Sequence, residues 1–345
     1  MTTINEFLNK TLELSGSDLH CATNQFPRAR IDGSLEPLSD SRTTEEEMKE
    51  ILKTVMNEEQ FKRFAENWEL DFFYALEGGS GFRVNAYLDS EGPALAFRPI
   101  PVDIPSFEAL DLPEICKELC QMPNGIILVT GATGSGKSTT LATMVDYINS
   151  TEKRHILTIE DPIEFYHRSK ESLVNQREVG SQTKSFSAAL KSALREDPDT
   201  ILIGEMRDLE TIRLALTAAE TGHLVLATLH TSSAPKTINR IIDVFPAGDK
   251  PMVRSMLAES LRAVITQRLI KRSIGKGRVA AREILICTPA VRNLIRQDLI
   301  PQIESAMQTG KSYGMITMEQ AVKDLLDKGE ITAEQAAVEL VLGSG

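Results

Sequence analysis

Eight consecutive residues, Gly131-Ala132-Thr133-Gly134-Ser135-Gly136-Lys137-Ser138, satisfy the pattern G-x-x-x-x-G-K-[ST] at every specified position. Each residue type has a task at a phosphate. Gly131, Gly134 and Gly136 allow positive φ and close backbone approach, Lys137 reaches the β and γ phosphates, and the Ser138 hydroxyl can ligate magnesium. The loop works only if its backbone N–H groups converge at a helix N-terminus after a strand. Both flanks fit: Ile126-Ile127-Leu128-Val129-Thr130 is an apolar, β-branched run typical of a buried parallel strand, and Thr139 to Ile148 has the pattern of a helix. Gly131 to Thr139 is therefore the expected nucleotide cradle.

In open α/β sheets the ligand sits at the carboxyl ends of the strands, so polar residues directly after buried strands are the next candidates. Ile156-Leu157-Thr158-Ile159 runs into Glu160, Asp161 and Glu164. Thr200 to Gly204 runs into Glu205, with Arg207 and Asp208 behind it, resembling a Walker B segment. Leu224 to Thr228 lies between His223 and His230. Phosphoryl transfer to water needs a magnesium ligand, a group that orients the water and a sensor of the γ-phosphate, and these carboxylates and imidazoles can supply all three. Gly204 stands where many ATPases carry a magnesium-binding Asp. Either Glu205 serves the metal together with Ser138, or water is oriented by Glu160 or Glu164; spacing does not divide the roles.

The elements that must hold these residues fall into two groups. At 345 residues the chain is long for one core, and about two domains are expected. Residues 3 to 14 read as a short helix and Thr44 to Asn67 as a longer one. Apolar runs at 70 to 76, 82 to 88 and 94 to 98, separated by glycine-rich turns, read as antiparallel strands. Residues 1–98 thus form a small α+β domain, and the proline-punctuated stretch 99–112 a linker. Residues 113–345 form an α/β domain with buried strands at 126 to 130, 155 to 159, 200 to 204 and 224 to 228. Helices are expected over 187 to 196, 208 to 221 and 252 to 270, and a helical region beyond 288. The final Gly343-Ser344-Gly345 reads as a loose end.

Charged residues make up 25% and hydrophobic ones 41%, ordinary for a soluble globular protein, and the net charge of −11 opposes binding to a nucleic-acid backbone. Residues 1 to 17 lack the basic start and apolar core of a leader, so a cytoplasmic location is expected. The four cysteines contain no C-x-x-C pair. Neither zinc nor a disulfide framework is expected, and buried reduced thiols are.

Four boxes in order resemble a known family, the secretion ATPases that drive type II secretion and type IV pili. Thr158-Ile159-Glu160-Asp161-Pro162-Ile163-Glu164 is similar to its Asp box, and Gly204-Glu205-Met206-Arg207-Asp208 to its Walker B. Glu220-Thr221-Gly222-His223-Leu224 through His230-Thr231 is similar to its His box. Leu194 to Asp199 also matches, and the likeness runs from Ser17-Asp18-Leu19-His20 to Lys328-Gly329. The chain lacks a cysteine-rich zinc module and carries Ala290-Val291-Arg292-Asn293-Leu294-Ile295, similar to the A-I-R-N-L-I segment of the branch that retracts pili.

The resemblance implies a homohexameric ATP- and Mg2+-dependent motor for pilus retraction and twitching motility, each subunit joining a PAS-like N-terminal domain to a RecA-like core. It further implies that Arg83 and Arg98 approach the γ-phosphate of a neighbouring subunit. The expected partner is the inner-membrane platform protein of the pilus, met at the cytoplasmic face. Competing readings are an accessory retraction or assembly ATPase of the same family, a RecA-like hexameric helicase or DNA translocase, which the −11 charge disfavours, and a nucleotide-binding switch without mechanical output.

Overall fold

The computed structural model describes residues 3–31, 34–76, 80–100, 104–274 and 277–343. The glycine-rich turn expected at 77–81, the proline-rich stretch and the chain end fall partly outside them. Two units are distinguished: Met1–Asp103 with Pro162–Tyr166 and Glu178–Thr183, and Ile104–Asp161 with His167–Arg177 and Lys184–Gly345.

In the first unit the elements are α1 (Ile4–Glu13), β1 (Asp18–Ala22), β2 (Arg28–Ile31), β3 (Ser34–Pro37), α2 (Glu45–Val55), α3 (Glu58–Asn67), β4 (Glu69–Ala75), β5 (Gly81–Asp89) and β6 (Gly92–Ile100). The strands form one antiparallel sheet in the order β3-β2-β1-β6-β5-β4. Its core includes Leu8, Leu19, Met48, Phe72 and the edge-to-face pair Phe82 and Phe97, with centroids 6.5 Å apart. The single helix expected over 44 to 67 is two. Met56 is extended, and Asn57 and Gln60 form a capping box, Asn57 accepting from the Gln60 N–H at 2.8 Å and Gln60 from the Asn57 N–H at 2.9 Å. An uncommitted helix interior has no use for such a reciprocal pair, whereas a new N-terminus needs its donors satisfied. β6 runs through Pro99, beyond Phe97, the last residue of β6 paired with β1; a missing N–H is tolerated there because only β5 pairs with the strand.

The second unit contains α4 (Ile115–Cys120), β7 (Gly125–Thr130), α5 (Lys137–Thr151), β8 (His155–Glu160), β9 (Leu173–Glu178), α6 (Phe186–Ala193), β10 (Thr200–Ile203), α7 (Leu209–Glu220), β11 (Leu224–Leu229), α8 (Ala234–Asp243), α9 (Lys250–Ser260), β12 (Leu261–Lys271), β13 (Arg278–Ile286), α10 (Pro289–Arg296), α11 (Ile303–Thr309), α12 (Met318–Asp327) and α13 (Ala333–Gly343). Its sheet has the order β13-β12-β7-β11-β10-β8-β9, parallel from β12 to β8 and antiparallel between β12 and β13. The four buried strands and the helices at 187 to 196 and 208 to 221 stand where the pattern places them.

The helix expected over 252 to 270 does not. α9 stops at Ser260, and Leu261–Lys271 is a strand beside β7, extended by an unforeseen β13. The reason is the missing boundary: no glycine or proline marks the step from Ser260 to Leu261, and the buried Ala263, Val264 and Ile265 fit period 2 and period 3.6 alike. All four cysteines are buried and unpaired, and burial pushes the Cys116 thiol up to about 12. Among the described residues no helix is long and apolar enough to cross a membrane.

The Ala290–Ile295 segment lies on α10, which packs on α9; Val291 and Ile295 are fully buried, Leu294 is half-buried and Asn293 exposed. Ile295→Ala is expected to lower stability by about 2–5 kcal/mol and Asn293→Ala by no more than about 0.5, measured by urea unfolding; equal effects would contradict this orientation of the helix.

Candidate functional site

The turn between β7 and α5 has Gly131 at φ 141°, Gly134 at 77° and Gly136 at 87°. A Cβ on Gly131 would stand 2.4 Å from the Gln267 carbonyl oxygen, so glycine is required there for space as well as for φ, while at Gly136, where a Cβ would meet Gln267 Nε2 at 2.7 Å, the φ requires it. Lys137 is buried at the first turn of α5, its ammonium donating to the carbonyls of Gly131 and Ala132, both at 3.0 Å. Burial lowers its pKa, partly offset by the Glu205 charge. The Ser135 hydroxyl is buried with no hydrogen-bond partner. A loop holding an orphan hydroxyl, a desolvated ammonium and spaces only glycine leaves open fits phosphate oxygens. Ser138 is exposed and Thr139 half-buried on the same turn.

The loop is braced by a residue the sequence reading missed. Gln267 of β12 donates from Nε2 to the Ser135 carbonyl at 2.6 Å and accepts from the Thr140 hydroxyl at 2.8 Å, tying loop to helix. A buried Gln inside a β-branched run was the available signal, hidden by the helical reading of 252 to 270. A cavity of about 420 Å³ opens beside the loop, lined by Gly131 to Ser135 and by Arg268, Arg278 and Glu339 among others.

Across the carboxyl edge of the parallel sheet, the strand order places the loop after β7, His230 after β11, Glu205 after β10 and Glu160 at the end of β8. Glu205 Oε1 meets His230 Nε2 at 3.2 Å and Oε2 meets Arg207 at 2.6 Å. The Arg207 hydrogen bond holds the Glu205 carboxyl below its ordinary value, against burial. The Thr228 hydroxyl donates to the Gly204 carbonyl, and the Met206 N–H to the Thr228 carbonyl at 3.1 Å, so β11 fixes the turn that presents Glu205. A Cβ at Gly204 would lie 3.3 Å from Glu160 Cα and from the Ile159 carbonyl oxygen. That position faces the neighbouring backbone and leaves little room for a side chain.

Glu160 is buried, its Oε1 accepting from the Thr158 hydroxyl at 2.6 Å and Gln176 Nε2 at 3.2 Å. Glu164 is exposed and belongs to the first unit, whereas Glu160 and Asp161 belong to the second. His223 is at the wrong end of its strand for this chain's own loop. It precedes Leu224, which is level with Gly125, whereas the loop follows Thr130, level with Leu229. Six residues of strand separate the two ends by roughly 20 Å. Its Nδ1 lies 2.9 Å from the Ala218 carbonyl oxygen. Asp199 is similarly placed at the amino edge, accepting from the His155 N–H at 2.8 Å and, through its carbonyl, from the Leu224 N–H at 2.9 Å. In the first unit Arg83 and Arg98 are cross-strand partners on β5 and β6, both exposed. Arg98 is held by Asp18 through Nη2 at 2.8 Å and Nε at 2.9 Å.

Because Arg207 keeps Glu205 ionised as the pH falls, Arg207→Ala lets the carboxyl pKa rise, and the ionised form is lost at a higher pH. The acid limb of the kcat profile is expected to move toward neutral pH; an unmoved limb would show that Glu205 ionisation does not limit turnover.

Residues 106–289 match the family described as type II/IV secretion system protein. The chain is 54% identical over 333 residues to the type IV pilus retraction ATPase PilT of Pseudomonas aeruginosa, covering 96% of each chain. It is 56% identical over 310 residues to a twitching motility protein of Neisseria gonorrhoeae, covering 90% of this chain and 83% of that one. The crystal structure of a pilus retraction motor PilT with bound ADP superposes with a TM-score of 0.88 at 47% identity, over 98% of this chain and 97% of that one. With its phosphate loop, its Glu205–His230 pair and these relatives, the chain belongs to the type II/IV secretion system ATPase family.

Proposed function

We propose that this chain is the ATP-hydrolysing motor of type IV pilus retraction. The observation that carries the reading is the alignment of the phosphate loop, His230 and Glu205 on one sheet edge, in a chain 54% identical to a pilus retraction ATPase along nearly its whole length. ATP lies with its phosphates on the N–H groups of 131–138. Lys137 exchanges its two loop carbonyls for β and γ oxygens, and the Ser135 hydroxyl gains the partner it lacks.

Magnesium, when bound, neutralises charge on the phosphates; Ser138 would hold it directly, with Glu205 as the nearby anion. Neighbouring strands are about 4.8 Å apart, so Glu205 stands about 10 Å from the loop's strand and Glu160 about 14 Å. Glu205 is therefore the better placed to orient water, steadied by His230, while Glu160 shapes the edge beside it. Both Glu205 oxygens are engaged by cationic or protonatable side chains, so it works on water with a carboxylate of fixed orientation. His223 does not share the position of Glu205 on that edge and has no part in this chain's own hydrolysis step, and Glu164 stays a candidate of the expected Asp box.

The active form is a hexamer at the cytoplasmic face of the pilus base, against the inner-membrane platform protein. Arg83 and Arg98, side by side and exposed, act on the γ-phosphate of the adjacent subunit, where a guanidinium stabilises charge on the transferring group. Asp18 sets the direction of Arg98.

Turnover of ATP by the purified chain should fall at least about a hundredfold in Lys137→Ala and Glu205→Ala. A strain without the protein should be hyperpiliated and unable to twitch, and Lys137→Ala should not restore it. Bald cells would make the protein an assembly ATPase instead. Mixing inactive Lys137→Ala with inactive Arg98→Ala subunits should recover activity, because some mixed interfaces regain both groups; co-assembly without recovery would remove Arg98 from the neighbouring site.

A further inference from the structure

Between Glu160, at the end of β8, and Leu173, at the start of β9, the chain makes an excursion. Asp161 belongs to the second unit, Pro162–Tyr166 to the first, and His167 to the second again. Within the first unit the excursion has holds of its own: the Ile163 N–H donates to Glu178 Oε2 at 3.2 Å, and the Tyr166 ring stacks on Phe73 with centroids 6.0 Å apart. Where it begins and ends, the second unit has a separate fastening, and one side chain of β9 provides it.

His167 is buried, so its N–H has to be paired inside the protein. It donates to Gln176 Oε1 at 2.7 Å. A backbone N–H can only donate, which settles the orientation of the amide: its oxygen faces His167 and its N–H2 group faces Glu160, with Nε2 at 3.2 Å from Glu160 Oε1. An amide N–H2 only donates, so this direction holds whichever protonation state Glu160 adopts. The Thr158 hydroxyl meets the same Glu160 oxygen from β8 at 2.6 Å. Gln176 therefore joins the residue at which the chain leaves the sheet edge to the residue at which it returns.

Glu160 in turn abuts the turn that presents Glu205. Ile159 is level with Ile203, and the Gly204 N–H donates to the Ile159 carbonyl at 2.8 Å. A Cβ at Gly204 would stand 3.3 Å from Glu160 Cα, so the two backbones are in close contact there. Gly204 immediately precedes Glu205, and Thr228 holds its carbonyl from β11. A displacement of Glu160 is thus passed to the Gly204 turn. We infer that Gln176 is a positioning residue for hydrolysis: it closes the neck of the excursion and keeps Glu160, and with it the turn before Glu205, in place independently of where 162–166 is held. Gln176 belongs neither to the phosphate loop nor to the lining of the cavity beside it. Its loss leaves the phosphate cradle, braced by Gln267, intact and loosens the geometry required in the transition state.

This rests on the ATPase reading. A wild-type chain without turnover sinks that reading and the inference with it, whereas normal wild-type turnover with the contrary outcomes below sinks the inference alone. Gln176→Met keeps the length of the side chain and removes both bonds; Gln176→Glu keeps an acceptor for the His167 N–H and removes the donor to Glu160. In each, measured well below its thermal midpoint, kcat is expected to be lower by about tenfold or more, with the ATP KM within about threefold of wild type. Adding Gln176→Met to Glu160→Ala is expected to change kcat by less than about twofold, because the carboxylate through which Gln176 acts is already gone. Unchanged kcat in both single variants overturns the inference, as does a rise in KM that accounts for the whole loss. A loss in the Glu160→Ala background as large as in the wild type shows a packing role independent of Glu160 and overturns it too. If Glu160→Ala turns over too slowly for the comparison, or Gln176→Met does not fold, the kcat and KM of Gln176→Glu decide.

Discussion

The register of the parallel strands is the constraint on which the site depends. Thr130 stands level with Leu229, and Ile203 with Ala227 and with Ile159, so four chain segments leave the sheet at two levels, two residues apart. A slip of one residue in any pairing would move one of them by about 3.3 Å and reverse every side chain on that strand. Strands buried on both faces resist such a slip, because Ile126 to Val129, Ile201 to Ile203 and Leu224 to Ala227 each fill a particular space between helices. The precision demanded by phosphoryl transfer is therefore borrowed from apolar packing; the polar residues at the edge inherit positions they do not determine.

Within that frame, the polar side chains are held by neighbours on adjacent strands. Gln267 reaches from β12 to the loop, Thr228 from β11 to the Gly204 turn, and Gln176 from β9 to Glu160. Each is a neutral hydrogen-bonding group beside a group that must carry or meet charge. Neutral donors and acceptors orient without adding a second charge to desolvate, and they leave the local balance to Lys137, Arg207 and Glu205.

How much of this could be read beforehand follows from the kind of signal involved. The loop, its strand and its helix were legible because glycine, lysine and β-branched residues have nearly context-free meanings at that spacing. Glu205 and His230 followed from the rule that ligands sit at strand ends. β12 was not legible, and Gln267 and Thr266 with it, because no glycine or proline separates it from α9, and Arg262, Gln267 and Arg268 interrupt its apolar residues. The break at Asn57 was written in the sequence as a capping box, yet apolar spacing on both sides masked it. His223 is a different case: its strand was found, one imidazole at each end, but the length of β11 puts it at the edge away from this chain's own loop.

An anion site in a chain of net charge −11 looks contradictory until the distances are compared. At physiological ionic strength fields decay over about 8 Å, so carboxylates scattered over the surface are screened from the loop. What a phosphate meets is local. Lys137 is desolvated beside converging N–H groups at the positive end of α5, and Arg278 lines the adjoining cavity beside the Arg268–Glu339 ion pair. The same arithmetic separates this site from a nucleic-acid groove. A polyanion must find cations along many phosphates, which the global charge opposes, whereas a nucleotide needs only one concave place where the sign is reversed.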